Sequence, residues 1–522
     1  MRISRMIWRS RQQELGGDLL KLNEYSLVSH AWNLFRLKHK QNGWKESRCR
    51  QVAFSSRKSH LAPFQAHHGN SAFALAALLS TAALILASGC SNSSTTASCG
   101  TSCNAAAAAK NAGNFTTTAF LGDSLTAGYQ SGSLLDTQQV HGWAPLVAQQ
   151  AGFQIVLPLI AAPGAPAVLK LVSLGPPPVI VPSSGTTTGR DNFTIQATDL
   201  AVPGAEVNDV MNTKPLANPT TGQQIITQLV LGFPGLGYGQ DYSQSQFAVA
   251  ANPTTIFLWI GNNDALIADI TGMPSSMTSV ADFTTQYQAL ITQLTGLTSA
   301  HLVIANIPDV TLVPYLTPAP LVLAETSFVT HLPTAVLSAL LGIQAGDFVN
   351  PTGLSEIPLI LTGKQKGPID DAGVLSAAEA AEVKARVIAY NQVIAAQAAA
   401  IGATTVDINA LFAGAAANGI VINGYTANFS FLGGLFALDG IHPTNTGYAV
   451  LANKFIDSLN AQNGTKIPDV NLSTVAAADP FFTPNLVPHL QPGAAPHITP
   501  AAGKAVDKIL LPARLAKQFS PQ

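Results

Sequence analysis

Cysteine is scarce in this chain of 522 residues, which contains only Cys49, Cys90, Cys99 and Cys103. Since all four lie upstream of residue 104, the remainder of the chain uses neither structural disulfides, nor thiolate nucleophiles, nor a metal ion held by cysteine. The histidines show no metal-ligand spacing, and we expect neither a metal nor a cofactor.

Charge is scarce as well. Charged residues make up 11 % of the chain, against about 25 % in typical soluble domains. Residues 1–60 hold 13 of the 27 basic residues and 4 of the 28 acidic ones, which leaves 14 basic and 24 acidic residues beyond them. Because the main body is mildly acidic and has no basic runs, nothing in the sequence supports nucleic-acid binding, and we expect no nucleic acid as a partner.

An apolar run without charges extends from Ser71 to Leu86, and at 16 residues it is short for a membrane span. Arg57 and Lys58 precede this run, and small residues lead from it to Cys90. This pattern is typical of a secretory signal and resembles a bacterial lipoprotein signal in which Cys90 is lipidated. Residues 71–90 are therefore predicted to be a signal, and the protein to be exported and anchored to a membrane.

The basic segment 1–70 is unusual upstream of such a signal. We expect translation to begin later, near Val52 or Leu61. The alternative is that the apolar run is a buried helix of a true N-terminal domain. Residues 91–116 are rich in Ser, Thr, Ala and Gly, which predicts a flexible tether.

From residue 117 the sequence alternates between predicted strands and helices. The strands are predicted at 118–121, 197–202, 254–260, 301–307 and 404–408, and the helices at 141–151, 222–231, 280–297, 377–400 and 445–459. This alternation predicts an α/β domain over 117–462, with a parallel sheet covered by helices on both faces. The insertions 153–196 and 310–376 are either binding loops and lids or additional scaffold. Residues 463–522 form an extension that is Pro- and Ala-rich after Pro480, predicted to be loosely packed or disordered.

Four short stretches carry candidate chemistry. Gly122-Asp123-Ser124-Leu125 follows the first strand, and Ser124 is expected at the opening of a helix, where free N–H groups favour negative charge. Gly204 follows the next strand, and Gly261-Asn262-Asn263-Asp264 follows the third. Asp439-Gly440-Ile441-His442-Pro443 lies just before the closing helix. Since the carboxyl ends of parallel strands share one edge of a sheet, these stretches are expected to meet there.

These four blocks, in this order, resemble the SGNH (GDSL-type) hydrolase family over about residues 115–462. The resemblance implies a flavodoxin-like three-layer α/β/α sandwich with a mainly parallel sheet. It also implies Ser124 as the nucleophile, His442 as the general base and then acid, and Asp439 as the residue that orients His442. The oxyanion hole implied by the family comprises the N–H groups of Ser124 and Gly204 and the side-chain amide of Asn263.

The resulting hypothesis is an exported serine esterase that cleaves carboxylic esters through an acyl-enzyme, with acyl lipids favoured as substrates because the insertions are apolar. A carbohydrate O-deacetylase, an acyltransferase and a catalytically silent lipoprotein that binds ligands are the alternatives. We expect a monomer whose partners are an ester substrate and, through a lipid on Cys90, a membrane.

Overall fold

The computed structural model describes residues 113–175, 178–486, 496–512 and 515. The described residues all belong to one compact unit. The predicted signal, the lipidation site Cys90 and the tether up to residue 112 lie outside the described residues, so these remain predictions.

A parallel four-stranded sheet forms the centre of this unit. Its strands lie in the spatial order Thr118–Gly122, Thr255–Trp259, His301–Ala305 and Thr404–Val406. Most residues of these strands are buried. Such burial on both faces explains why the strands read in sequence as continuous apolar runs rather than as alternating patterns.

The segment 197–202 lies beside the first strand, but it forms only one parallel bridge, between Phe120 and Asp199. Phe120 N–H donates to Thr198, and Leu200 and Val202 donate back to Phe120 and Gly122 at 2.9–3.1 Å. The predicted strand is therefore an irregular edge segment. With this edge included, the strand order is 2-1-3-4-5, which is the flavodoxin-like order.

Helices cover both faces of the sheet, as the sequence pattern predicts. Trp143–Ala151 packs against Asn445–Asn463 on one face, while Val280–Leu297 packs against Ala377–Ile401 on the other. On the first face the rings of Trp143 and Phe455 stack with centroids 3.7 Å apart. The fold class, an α/β/α sandwich with a parallel sheet, is confirmed.

The other described helices are Asp136–Gln139, Val207–Asn212, Gly222–Leu231, Gln244–Ala250, Asn262–Thr271, Ala319–Thr330, Thr334–Leu341, Pro351–Leu361, Ile408–Asn418, Leu472–Ala478, Thr483–Leu486 and Pro500–Leu510. The insertion 153–196 contains the antiparallel strands Leu169–Ser173 and Val179–Pro182. The insertion 310–376 contains a small antiparallel sheet of Thr317–Pro318, Phe348–Val349 and Val374–Leu375. Ile420–Ile422 pairs with Tyr425–Ala427.

Residues 496–512 differ from the expectation of a loosely packed extension. The helix Pro500–Leu510, named here the C-terminal helix, buries Ala502, Val506, Ile509 and Leu510 on one face. Apolar residues three or four positions apart give this helix a continuous apolar side, which burial against the domain stabilises.

Among the described residues no single helix is both long enough and apolar enough to cross a membrane. Only the helices Ala319–Thr330 and Thr334–Leu341 taken together pass that test, and they are bent by 114° relative to each other.

Candidate active site

Ser124 lies immediately after the first strand of the sheet, in a series of turns rather than at the start of a helix. The Asp123 carboxylate accepts the N–H of Leu125 at 3.0 Å, and the Ser124 carbonyl accepts the N–H of Tyr129 at 3.0 Å. Gly128 follows with a φ of +71°, a left-handed conformation that stops helical propagation. The predicted helix opening at Ser124 is therefore wrong.

Asp439 and His442 face this turn from the loop that precedes the helix Asn445–Asn463. Asp439 Oδ2 lies 3.0 Å from His442 Nδ1, and both side chains are fully buried. The other carboxylate oxygen, Oδ1, accepts the backbone N–H groups of Ile441 and His442 at 3.0 and 2.9 Å. These contacts fix both the carboxylate and the imidazole ring in one short loop.

Two contacts join this loop to the segment that follows Ser124. Gly132 N–H donates to Asp439 Oδ2 at 2.7 Å, and the ring of Tyr129 packs on the ring of His442 with centroids 4.7 Å apart. His442 Nε2 is buried and has no hydrogen-bond partner among the described residues. The nitrogen that a general base would use is thus available, and it is not hydrogen-bonded to Ser124 in this state.

Burial and hydrogen bonding act in opposite directions on Asp439. Burial alone would raise the pKa of this carboxyl, but the charge of His442 and hydrogen bonds from its side chain and the backbone hold the pKa below its ordinary value. Asp439 is therefore ionised at neutral pH, which suits a carboxylate that stabilises a protonated imidazole.

The helix Asn262–Thr271 joins the other two stretches to Ser124. Asn262 donates from its amide to Asp123 Oδ2 at 2.8 Å, and Asn263 donates to the carbonyl of Ala205 at 2.9 Å. Gly204, with a φ of +81°, lies next to this carbonyl. The four stretches predicted to meet at the sheet edge are therefore brought together.

Two neighbouring carboxyl groups have raised pKa values. Burial raises the pKa of Asp123 to about 6, against the lowering effect of hydrogen bonds from Asn262 and Leu125. Burial also raises the pKa of Asp264, with the charge of Glu206 as a further cause. Asp264 accepts the N–H of Val207 at 3.0 Å, so it holds the loop after Gly204 in place.

Sequence reasoning missed two residues that brace the site. Gly132 supplies a third N–H to Asp439, and the Gln244 side chain makes two hydrogen bonds of 3.0 Å with the backbone of Gly122. Neither residue lies in a recognisable motif, and both contacts depend on tertiary structure. No metal-binding group of three or more His, Cys, Asp or Glu side chains occurs within the described part of the chain.

Solved structures similar to this chain include a catalytic mutant of an acetylxylan esterase from Geobacillus stearothermophilus (12% identity, TM-score 0.30, 68% of this chain and 96% of that one). A phospholipase A1 from Streptomyces albidoflavus (15%, 0.29, 67% and 100%) and an extracellular lipase from Streptomyces rimosus (14%, 0.26, 66% and 99%) are also similar. At these values the likeness carries no conclusion about substrate. A search of curated proteins found no match.

The family model described as GDSL-like lipase/acylhydrolase matches residues 119–455, which is more than half of the chain. The match begins in the strand that leads to Ser124 and ends in the helix that follows His442. This protein belongs to the GDSL-like lipase/acylhydrolase family and is a carboxylic ester hydrolase.

Proposed function

We propose that this protein is an exported, lipid-anchored serine esterase that hydrolyses acyl esters of lipids through an acyl-enzyme. The observation that carries the catalytic part is the buried Asp439–His442 pair, which is joined through Gly132 and Tyr129 to the segment after Ser124. In this proposal Ser124 is the nucleophile, His442 the proton carrier and Asp439 the group that orients the imidazole.

The proposed reaction has two steps. Ser124 Oγ attacks the ester carbonyl carbon while its proton moves to His442 Nε2, and the carbonyl electrons move to the oxygen. When the tetrahedral intermediate collapses, the bond to the alcohol oxygen breaks and the alcohol leaves with the proton from His442. Water then attacks the acyl-enzyme, gives a proton to His442, and Ser124 recovers that proton as the acid is released.

The negative oxygen of each intermediate needs donors that are already in place. We assign this role to the N–H groups of Ser124 and Gly204 and to the Asn263 amide N–H that is not used by the carbonyl of Ala205. Because Ser124 and Asn263 are 3 % and 2 % exposed, their dipoles act away from bulk water, where they stabilise charge most strongly.

Lipid esters are favoured over small polar esters by the apolar surface of the insertion 310–376. Phe328 and Val329 on this insertion are 83 % and 76 % exposed. Exposed apolar clusters of this kind mark interaction sites. The export and the lipid anchor rest on the sequence of residues 71–90 alone.

The first test measures hydrolysis of p-nitrophenyl esters from acetyl to palmitoyl by the full-length protein and by Ser124→Ala. We expect activity that increases with chain length and is lost in the variant. Activity restricted to acetyl would instead indicate a carbohydrate deacetylase. Equal rates for both proteins, with no labelling of Ser124 by a fluorophosphonate, would refute the catalytic role and leave a binding protein.

The anchor has its own test. Wild type is expected in the membrane fraction of a bacterial host, with an acylated Cys90 detectable by mass spectrometry, and Cys90→Ser in the soluble exported fraction. Equal membrane association of both proteins without acylation would contradict the anchor and leave the esterase proposal unaffected.

A further inference from the structure

The C-terminal helix and the residues just before it pack on the loops that form the candidate active site. A Cβ built on Gly204 would overlap the carbonyl oxygen of Ile509, so this backbone packs directly on the glycine of the proposed oxyanion hole. Cβ atoms built on Gly132 and Gly440 would lie 3.7 Å from Ala505 and 3.1 Å from Ile498. Residues 496–512 thus lie next to Gly132, the Gly204 loop and the Asp439–His442 loop.

The two reacting side chains of the candidate site are almost completely buried in this structure. The side chains of Ser124 and His442 are 3 % and 0 % exposed, and Ile498, Ala502 and Val506 are fully buried. An active site that turns over a substrate must open, and movement of the C-terminal helix would uncover the backbone of Gly204.

A second feature lies in the insertion 310–376. The helices Ala319–Thr330 and Thr334–Leu341, named here the bent helix pair, expose five large apolar side chains: Phe328, Val329, Leu332, Val336 and Leu340. Phe328, Val329 and Val336 are 83 %, 76 % and 50 % exposed. Val322, Leu323 and Leu337 of the pair are buried and hold it to the domain.

Three contacts connect the bent helix pair and its insertion to their surroundings: one reaches the C-terminal helix, one the residue His497 before it, and one the Asp439–His442 loop. His497 Nδ1 lies 2.8 Å from Glu325 Oε2 in the first helix of the pair. Tyr315, just before the pair, donates from its hydroxyl to Asp507 Oδ1 at 2.8 Å, and its backbone N–H donates to the carbonyl of Gly440 at 2.8 Å. These contacts are the physical link between the insertion and residues 496–512.

We propose that the bent helix pair docks onto a lipid surface through these five side chains, and that docking displaces the C-terminal helix from the active site. The choice of partner follows from composition and shape. Residues 319–341 contain one carboxylate, Glu325, and no Lys or Arg, so the surface that they bind is neutral or zwitterionic. With a bend of 114° the pair lies in an interface rather than crossing it.

The first experiment locates the contact with a fluorescent probe. In full-length protein with the four native cysteines replaced by Ser, a single Val329→Cys is labelled with the environment-sensitive dye NBD and mixed with phosphatidylcholine vesicles. The control carries the dye at Val421→Cys, which is 71 % exposed on a different element. We expect a blue shift and increased emission at position 329 only. An unchanged spectrum at position 329, or equal changes at both positions, would overturn the docking.

The second experiment tests the coupling, which rests on the proposed esterase function. In the same background without cysteines, which removes the proposed anchor at Cys90, hydrolysis of soluble p-nitrophenyl acetate is measured with and without vesicles of a diether phosphatidylcholine that the enzyme cannot cleave. The expected ratio of the two rates is well above one for wild type and close to one for Phe328→Ser/Val329→Ser. Leu236→Ser/Val421→Ser, which removes two exposed apolar residues elsewhere, should keep the wild-type ratio. A wild-type ratio of one would refute the coupling.

Loss of the Phe328 and Val329 side chains is expected to weaken vesicle affinity about 100-fold, because of the apolar area that they would bury.

A different partner would be indicated if the protein formed a dimer that Phe328→Ser/Val329→Ser dissociates and the probe did not respond to vesicles. The surface bound by the bent helix pair would then be a second copy of the chain and not a lipid surface. The probe response does not depend on turnover. Docking without esterase activity would therefore refute the proposed function, whereas esterase activity without a probe response would refute the docking.

Discussion

Replacement of Gly503 by alanine should open the active site without changing any group in it. Gly503 lies in the C-terminal helix, and a Cβ at this position would overlap the ring of Pro351 at the start of the helix Pro351–Leu361. Overpacking of this kind typically costs about 1–3 kcal/mol. This cost applies only while the C-terminal helix is packed against Pro351. The equilibrium between this closed form and an open form, in which the helix has moved away, should therefore shift toward the open form by about 5- to 150-fold.

The assay is the rate at which a fluorophosphonate modifies Ser124, measured together with kcat/KM for p-nitrophenyl acetate. Both should increase in Gly503→Ala in the absence of lipid. Gly414→Ala is the matched control, because Gly414 also lies within a helix and its added Cβ would have no neighbour within 4 Å. Both substitutions gain about 1 kcal/mol of helix propensity, so only the overlap distinguishes them.

A labelling rate in folded Gly503→Ala that is equal to or below that of Gly414→Ala would refute the reasoning. Thermal melts followed by circular dichroism establish that both variants are folded. A similar increase of the labelling rate in both variants would also contradict the reasoning. The cause would then be helix propensity and not displacement of the C-terminal helix from Pro351.

Three further predictions concern single groups. Asp439→Asn should lower kcat about 10⁴-fold, because the amide no longer fixes the imidazole tautomer, and a loss below tenfold in steady-state kinetics would contradict this role. Asn263→Ala should lower kcat/KM about 10²–10³-fold in protein that is still folded, and unchanged kinetics would exclude Asn263 from the oxyanion hole. Burial raises the pKa of Asp199 to about 8. Since the folded state then holds a proton that the unfolded state has lost, stability present below about pH 4 is lost as the pH rises to about 8, by up to about 1.4 kcal/mol per pH unit. Asp199→Asn should flatten this slope in urea titrations, and parallel slopes for both proteins would show that Asp199 does not cause it.

Much of the fold could be predicted because local signals coincide with the structure. The helices Gly222–Leu231 and Val280–Leu297 have the bounds predicted from the sequence. Each begins directly after a residue whose side chain caps it, Thr221 and Ser279, and such caps are visible in sequence. The irregular form of the edge segment 197–202 was harder to predict, because this segment pairs with the sheet on one side only and forms a single bridge.

The sequence predicted which residues form the candidate site, but it did not predict which other parts of the chain pack around that site. The order of the four blocks indicated that Ser124, Gly204, Asn263 and His442 meet at one edge of the sheet. Nothing in that order indicated that residues 496–512 would pack on the loops around them. The apolar spacing of Ala502, Val506 and Ile509 identifies an amphipathic helix, but the surface that such a helix covers is decided by tertiary packing.

The hydrogen bond from Gly132 to Asp439 joins residues that are 307 positions apart. The first strand of the sheet likewise pairs with a strand that begins at Thr255. Such large sequence separations raise the contact order, and proteins with high contact order fold slowly because long loops must close before their contacts form. The catalytic arrangement proposed here can therefore assemble only after nearly the whole chain has been synthesised, and an unfinished chain that carries Ser124 is not yet an enzyme.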